Sequence, residues 1–263
     1  MVTLPGVTHH RARVNGVELH YESAGTGPAV VLCHGVGGNH MSWWQQAPVF
    51  SRRYRCITLD QRGFGESHLP PEAAGAEAFA DDVAALLEHL GESSAFLVGQ
   101  SMGGRTVLNF ARRHGERLRA MVFSATLANI RTEALDRMRQ EVRASLPEDR
   151  LEAALASRVW EERPQMGYLF QLIRSRNPAR PKKFLWRDNA TGARPEEIAG
   201  ITTPALFIVG EEDRIAPPHA VEEAYRLFPN ARLVRVPRAG HSVYFEQPEA
   251  FNEAVLKFLE EQG

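Results

Sequence analysis

Ser101 stands in Gly99-Gln100-Ser101-Met102-Gly103, between the apolar run Ala95-Phe96-Leu97-Val98 and a helical stretch from Met102 to Arg113 that stops at Gly115. A serine on a strand-to-helix turn presents its hydroxyl, and glycines two residues before and two after remove side chains that would strike the neighbouring strand or helix. A hydroxyl is a poor nucleophile until a base takes its proton, so Ser101 needs a histidine. Reactive groups in open α/β sheets collect at the carboxyl ends of the strands, and two residue types stand there. His241, in Gly240-His241-Ser242, follows the last apolar run and Pro237, while Asp213 follows the run Leu206 to Val209 in Gly210-Glu211-Glu212-Asp213-Arg214. A carboxylate beside the histidine fixes its tautomer and stabilises the imidazolium. The chemistry these types could perform together is acyl transfer through the serine.

A tetrahedral oxyanion also needs donors. His34-Gly35-Val36-Gly37-Gly38 follows the run ending at Cys33, and its glycines let the backbone approach a substrate. The Val36 amide is one candidate donor, and the Met102 amide, at the positive end of a helix, is the other. His34 reads as a structural loop histidine.

The elements that must position these groups are legible as short apolar runs separated by helical patterns. Arg11–Val14 and Val17–Tyr21 flank Asn15-Gly16, a two-residue hairpin signal. Further strand runs are Ala29–Cys33, Cys56–Leu59, Phe96–Val98, Met121–Phe123, Leu206–Val209 and Leu233–Val236. Helical patterns lie at Phe79–Leu90, Met102–Arg113, Val221–Leu227 and Pro248–Leu259. This alternation implies an α/β fold with a mostly parallel eight-stranded sheet flanked by helices, opened by an antiparallel hairpin.

The rhythm breaks once, between the sixth and seventh strands, where no good strand run occurs and helix-favouring stretches span Thr132–Ser145 and Glu148–Trp160. The expected organisation is a core domain, residues 1–126 and 198–263, with a helical cap at 127–197. The aromatic residues of the insertion, Trp160, Tyr168, Phe170 and Trp186, read either as its own small core or, for Trp160 and Tyr168, as substrate-binding residues. Trp43 and Trp44 read as packing on the first helix, with Trp43 also a candidate for shaping an acyl pocket. Arg131, Arg139 and Arg174 read as a solvated face, the alternative being a grip on a substrate carboxylate.

Composition narrows the function classes. The 263 residues are 43% hydrophobic and 24% charged, with a formal net charge of -1, which gives no electrostatic reason to expect nucleic acid or an anionic membrane as partner. The two cysteines, Cys33 and Cys56, lie inside apolar runs and read as buried thiols in a reducing compartment. Residues 1–6 carry neither a basic nor an apolar leader pattern, and no apolar run approaches membrane-spanning length, so a cytoplasmic location is expected. His9, His10 and His40 lack metal-ligand spacing with carboxylate or thiolate partners and read as surface or loop residues; no metal and no organic cofactor are expected.

Taken in order, His34-Gly35, Asp60-Gln61-Arg62-Gly63-Phe64-Gly65-Glu66-Ser67, the Ser101 pentapeptide, Gly210-x-x-Asp213 and Gly240-His241 resemble the α/β-hydrolase superfamily over nearly the whole chain. The resemblance implies a serine hydrolase with Ser101, Asp213 and His241 as catalytic triad, and assigns Asp60, Arg62 and Ser67 to loop structure beneath the site. Some members place the acid after the sixth strand, but Ser124-Ala125-Thr126-Leu127-Ala128-Asn129 offers no carboxylate there, and Glu211 and Glu212 fall outside the spacing. The expected reaction is hydrolysis of a small-molecule carboxylic ester or lactone, with the enol-lactone hydrolases similar in layout. The alternatives are C–C bond hydrolysis of a vinylogous diketone, perhydrolase-like chemistry, and a non-catalytic binding module on the same fold. A histidine base predicts activity that falls as the pH drops through the ordinary histidine range.

Overall fold

A computed structural model describes residues 6–69, 75–147, 149–179, 184 and 192–263; Trp186 and the first five residues of the chain lie outside this set. Eight strands, β1 (Val7–Val14), β2 (Val17–Ala24), β3 (Ala29–Cys33), β4 (Arg55–Leu59), β5 (Ala95–Gln100), β6 (Leu118–Ser124), β7 (Ala205–Gly210) and β8 (Ala231–Val236), form one sheet in the order β1-β2-β4-β3-β5-β6-β7-β8. β1 and β2 pair antiparallel, β2 pairs antiparallel with β4, and every pairing from β4 to β8 is parallel. The opening hairpin turns at Asn15 (φ 47°) and Gly16 (φ 74°), the two positive φ values that a right-twisting two-residue turn requires.

The central strands are apolar at consecutive positions because both faces of the sheet are covered. Val31, Cys33, Leu97 and Phe123 point to one core, packed by the helices Phe79–His89, Met102–Arg113 and Pro218–Tyr225. Val30, Leu32, Phe96 and Val98 point to the other, which holds Phe251, Val255 and Phe258 of the helix Pro248–Glu260. Burial pushes the Cys33 and Cys56 thiols up to about 12, consistent with inert core residues.

Between β6 and β7 the described residues contain helices at Glu133–Ser145, Ser157–Glu162, Pro164–Ser175 and Pro195–Ala199. The first matches the sequence pattern, capped by the Thr132 hydroxyl, which accepts from the Leu135 N–H at 3.1 Å. The expected helix over 148–160 does not form as one piece. A short 3-10 turn at Glu152–Ala154 is followed by Leu155 (φ −129°, ψ 156°) in extended conformation before the next helix begins. The cause is tertiary: the Ala156 N–H donates to Glu246 Oε2 at 2.9 Å, so that amide serves a distant carboxylate instead of a helical ladder. Among the described residues no helix is long and apolar enough to cross a membrane.

Candidate active site

The carboxyl end of β5 delivers Ser101 with φ 50° and ψ −110°, a conformation a non-glycine residue adopts only when its surroundings enforce it. Three hydrogen bonds do so. The Ser101 N–H donates to Ser124 O at 2.9 Å, while Ser101 O accepts from the Thr126 hydroxyl at 2.7 Å and from the Gly104 N–H at 3.0 Å. The flanking glycines are sterically required. A Cβ on Gly99 would lie 2.4 Å from Gly103 O, and one on Gly103 would lie 2.0 Å from Cys33 O. The helix therefore starts directly against β3, and the Met102 amide is the first N–H of that helix, without an intrahelical acceptor.

The loops after β7 and β8 bring the other two groups together. His241 Nδ1 lies 3.1 Å from Asp213 Oδ1 and 3.0 Å from Oδ2, and both side chains are buried. Asp213 Oδ1 also accepts from the Ile215 and Ala216 N–H groups at 2.8 and 2.9 Å, which orients the carboxylate before the histidine meets it. Asp213 thus caps its own turn and not the helix Pro218–Tyr225, whose N-cap is Pro217. Gly210 makes the close approach of these loops possible, since a Cβ there would lie 2.3 Å from the carbonyls of Ala239 and Gly240.

A cavity of about 820 Å³ is lined by Ser101, His241, Val36 and Met102 together. Among the described residues no hydrogen bond joins Ser101 Oγ to His241, although both line this cavity. Val36 lies in the tight turn closed by the Gly38 N–H to Gly35 O bond at 3.0 Å. His34 is occupied structurally: Nδ1 donates to Gly35 O at 2.8 Å and Nε2 accepts from the Gln61 N–H at 3.1 Å. Asp60, Arg62 and Ser67 are likewise buried beneath the loop, Arg62 paired with Asp82 through Nε and Oδ2 at 2.6 Å.

Several expectations are corrected. Trp43, Trp160 and Tyr168 do not line the cavity. Trp43 is fully buried against Tyr244, ring centroids 4.7 Å apart, and Trp160 packs over Gly167 with Nε1 donating to Glu152 O. Tyr168 is 65% exposed. The aromatic residues at the cavity are Phe170 and Tyr244. Arg139 and Arg174 are part-buried at the cavity wall instead of forming a solvated face, whereas Arg131 is exposed and pairs with Asp136.

His40 is no surface residue either. It is buried, with Nδ1 at 2.9 Å from Asp60 Oδ1 and its N–H at 2.6 Å from the same oxygen. Burial alone would lower the His40 pKa, but its hydrogen bond to Asp60 and the charges of Asp60, Glu22 and Glu66 raise it. Burial alone would raise Asp60, yet the hydrogen bonds from His20 and His40 hold it far below the carboxylate range. These three side chains come within metal-ligand distances of one another, but each is already satisfied by its neighbours.

Two positioning groups escaped sequence reasoning. Gln100 is buried under the site, its Nε2 donating to His241 O at 3.1 Å. Glu246 accepts the N–H groups of Gly240 and Ser242, on either side of His241, at 2.9 and 3.1 Å, together with that of Ala156. Burial raises the Glu246 carboxyl above its ordinary value, and those three donors pull the other way. Its one sequence signal is its place four residues after Ser242.

Comparison with known proteins agrees with the geometry. Residues 28–248 match the family described as alpha/beta hydrolase fold. The 2-(acetamidomethylene)succinate hydrolase of Mesorhizobium japonicum is 30% identical over 266 residues, covering 95% of this chain and 94% of that protein. A malate-bound thermophilic esterase from Thermogutta terrifontis matches with a TM-score of 0.81 at 28% identity, covering 97% of this chain and 99% of the esterase. The enol-lactonase from Burkholderia xenovorans LB400 matches with a TM-score of 0.77 at 26% identity, over 95% of this chain and 100% of the lactonase. The residues matched run from the start of β3 to beyond His241, through every loop that carries the site, and the chain belongs to the alpha/beta hydrolase fold family.

Proposed function

We propose that this protein hydrolyses a small-molecule carboxylic ester or lactone through an acyl-enzyme on Ser101. The observation that carries this reading is His241, hydrogen-bonded to Asp213, sharing one cavity with a serine held at φ 50° on a glycine-flanked turn. His241 Nδ1–H donates to Asp213, which leaves Nε2 as the base. Nε2 takes the Ser101 proton as Oγ adds to the carbonyl carbon, and the oxyanion that forms is held by the Val36 and Met102 N–H groups. Collapse expels the alcohol, protonated by His241. Water then repeats the sequence on the acyl-enzyme, with His241 again as base, and releases the acid. The helix N-terminus under Met102 adds a favourable dipole to the developing charge, and losing one such donor costs about 2.7–4 kcal/mol of transition-state stabilisation.

Residues 127–197 serve in this reading as a cap over the core formed by 1–126 and 198–263, since Met138, Val142 and Phe170 contribute to the cavity wall. Esterase and lactonase neighbours that align over nearly their full lengths support the choice of ester or lactone. The test is a screen of p-nitrophenyl esters of increasing chain length and of simple lactones, with a vinylogous diketone in parallel. Ester or lactone turnover that disappears in Ser101→Ala is the expected result. Turnover of the diketone alone would replace this reading with C–C hydrolysis.

A further inference from the structure

The cavity that holds Ser101 and His241 is lined by five arginines, Arg105, Arg139, Arg143, Arg150 and Arg174, against one carboxylate among the described residues, Asp149. Arg174 Nη2 is already paired with Asp149 at 2.9 Å. Arg139 donates to Asp136 Oδ1 at 2.7 Å and to Ile130 O at 2.5 Å. Arg150 has no carboxylate partner among the described residues, although it is part-buried. Its electrostatic neighbour is another cation: burial, and then the charge of Arg143, hold the Arg150 pKa below the usual arginine value. Arg143 acts in the same sense on Arg139, one helical turn away on the same face of Glu133–Ser145. Arg143, exposed at the wall of a partly enclosed cavity, thus has the charges of Arg139 and Arg150 among its electrostatic neighbours.

Like charges gathered at the wall of one cavity raise the free energy of the empty site, and an anion entering it relieves that repulsion. Guanidinium groups match this task because their planar forks take the oxygens of a carboxylate or phosphate two at a time. We propose that the substrate of the Ser101 site carries an oxyanionic group, carboxylate or phosphate, remote from the scissile carbonyl, and that Arg150 and Arg143 receive it. This rests on the hydrolase reading above and adds the charge of the substrate to it. The apolar residues of the same cavity, among them Leu146 and Ile215, suit the short hydrocarbon spacer between the two ends.

The test compares kcat/KM for three substrates: the mono-p-nitrophenyl ester of adipic acid, the p-nitrophenyl ester of ω-phosphonovaleric acid, and uncharged p-nitrophenyl heptanoate. Wild type is set beside Arg150→Gln, Arg143→Gln and Arg137→Gln, the last an exposed arginine outside the cavity wall. The ratio of anionic to neutral kcat/KM is expected to fall about ten- to a hundredfold in Arg150→Gln and Arg143→Gln, the scale of a lost charged hydrogen bond, and to hold in Arg137→Gln. Whichever anionic ester wild type prefers identifies carboxylate or phosphate. A ratio that is the same in wild type and in both cavity variants overturns the proposal. Titration of adipate and of inorganic phosphate into wild type and Arg150→Gln reads the same receptor without catalysis. Binding weakened about tenfold or more by the substitution supports it, and equal or absent binding in both proteins overturns it. Ester hydrolysis that survives in Ser101→Ala would sink the catalytic reading instead, leaving the titration to judge the arginines.

Discussion

Replacing Asp213 by asparagine tests the proposed role of His241 as base. Asp213 Oδ1 accepts the Ile215 and Ala216 N–H groups at 2.8 and 2.9 Å, and Oδ2 lies 3.0 Å from His241 Nδ1. An asparagine must keep its oxygen on those two amides. The opposite flip would aim its NH2 group at two donors and strand both, at about 1–3 kcal/mol for each. The NH2 group then sits where Oδ2 was and donates to Nδ1. That nitrogen must present its lone pair, the ring proton moves to Nε2, and the ring can no longer accept the Ser101 proton. A wrong tautomer in an intact triad costs about 10⁴ in kcat, which is about 5 kcal/mol of barrier. The fold should be little affected because the capping bonds survive, so the urea midpoint should stay near that of wild type. The assay is kcat and KM on the best p-nitrophenyl ester from the screen, with urea unfolding of the same preparation. A variant that unfolds like wild type and keeps kcat within about tenfold of it would refute this account of the tautomer.

Further consequences follow from the same contacts. Gly103→Ala places a Cβ 2.0 Å from the Cys33 carbonyl, backbone that cannot rotate away; a loss of about 2–3 kcal/mol in urea unfolding is expected, and an unchanged midpoint would contradict the packing. Glu246→Ala strands the N–H groups of Gly240, Ser242 and Ala156, so stability and kcat should fall together, with about 1–3 kcal/mol for each donor that water fails to reach; wild-type kcat would show that the anchored flanks do not hold His241. The His40 pKa is raised in the folded state, against its burial, by Asp60. Stability from that pair is complete below an unfolded value of about 6.5 and is lost as the pH rises through the higher folded value. The gap in stability between wild type and His40→Gln should therefore narrow as the pH rises above about 6.5, and a constant gap would remove His40 from the linkage.

Much of this architecture is legible in the residues because strand and turn signals are local. The Asn15-Gly16 hairpin, the apolar runs of β3 to β8, the glycine pair around Ser101 and the single Gly210 before Asp213 each reflect short-range sterics, so the eight strands and the loops bearing Ser101, Asp213 and His241 follow from them. What is lost depends on contacts far apart in the chain. The extended break at Leu155 and Ala156 answers to Glu246, 90 residues away. Trp43 packs, as its reading as a packing residue expects, but its partners Tyr244 and Phe251 are named by no local pattern around it. His40 lacks ligand spacing in the sequence, yet the sheet brings it against Asp60 on the neighbouring strand end. The facing of the arginines between β6 and β7 is the same kind of problem. The four-residue step from Arg139 to Arg143 shows that they share a helix face, while only the packed structure turns that face toward Ser101.

The central claim is that Ser101 is an activated nucleophile, and a fluorophosphonate probe reports it directly. Such a probe phosphonylates a serine whose proton is taken by a working base and passes over an ordinary hydroxyl. Incubation of the intact protein followed by peptide mass spectrometry should place one adduct on the peptide carrying Ser101, and the adduct should vanish in Ser101→Ala and fall sharply in His241→Ala. An unlabelled wild-type protein, or labelling that persists unchanged in Ser101→Ala, would contradict the account.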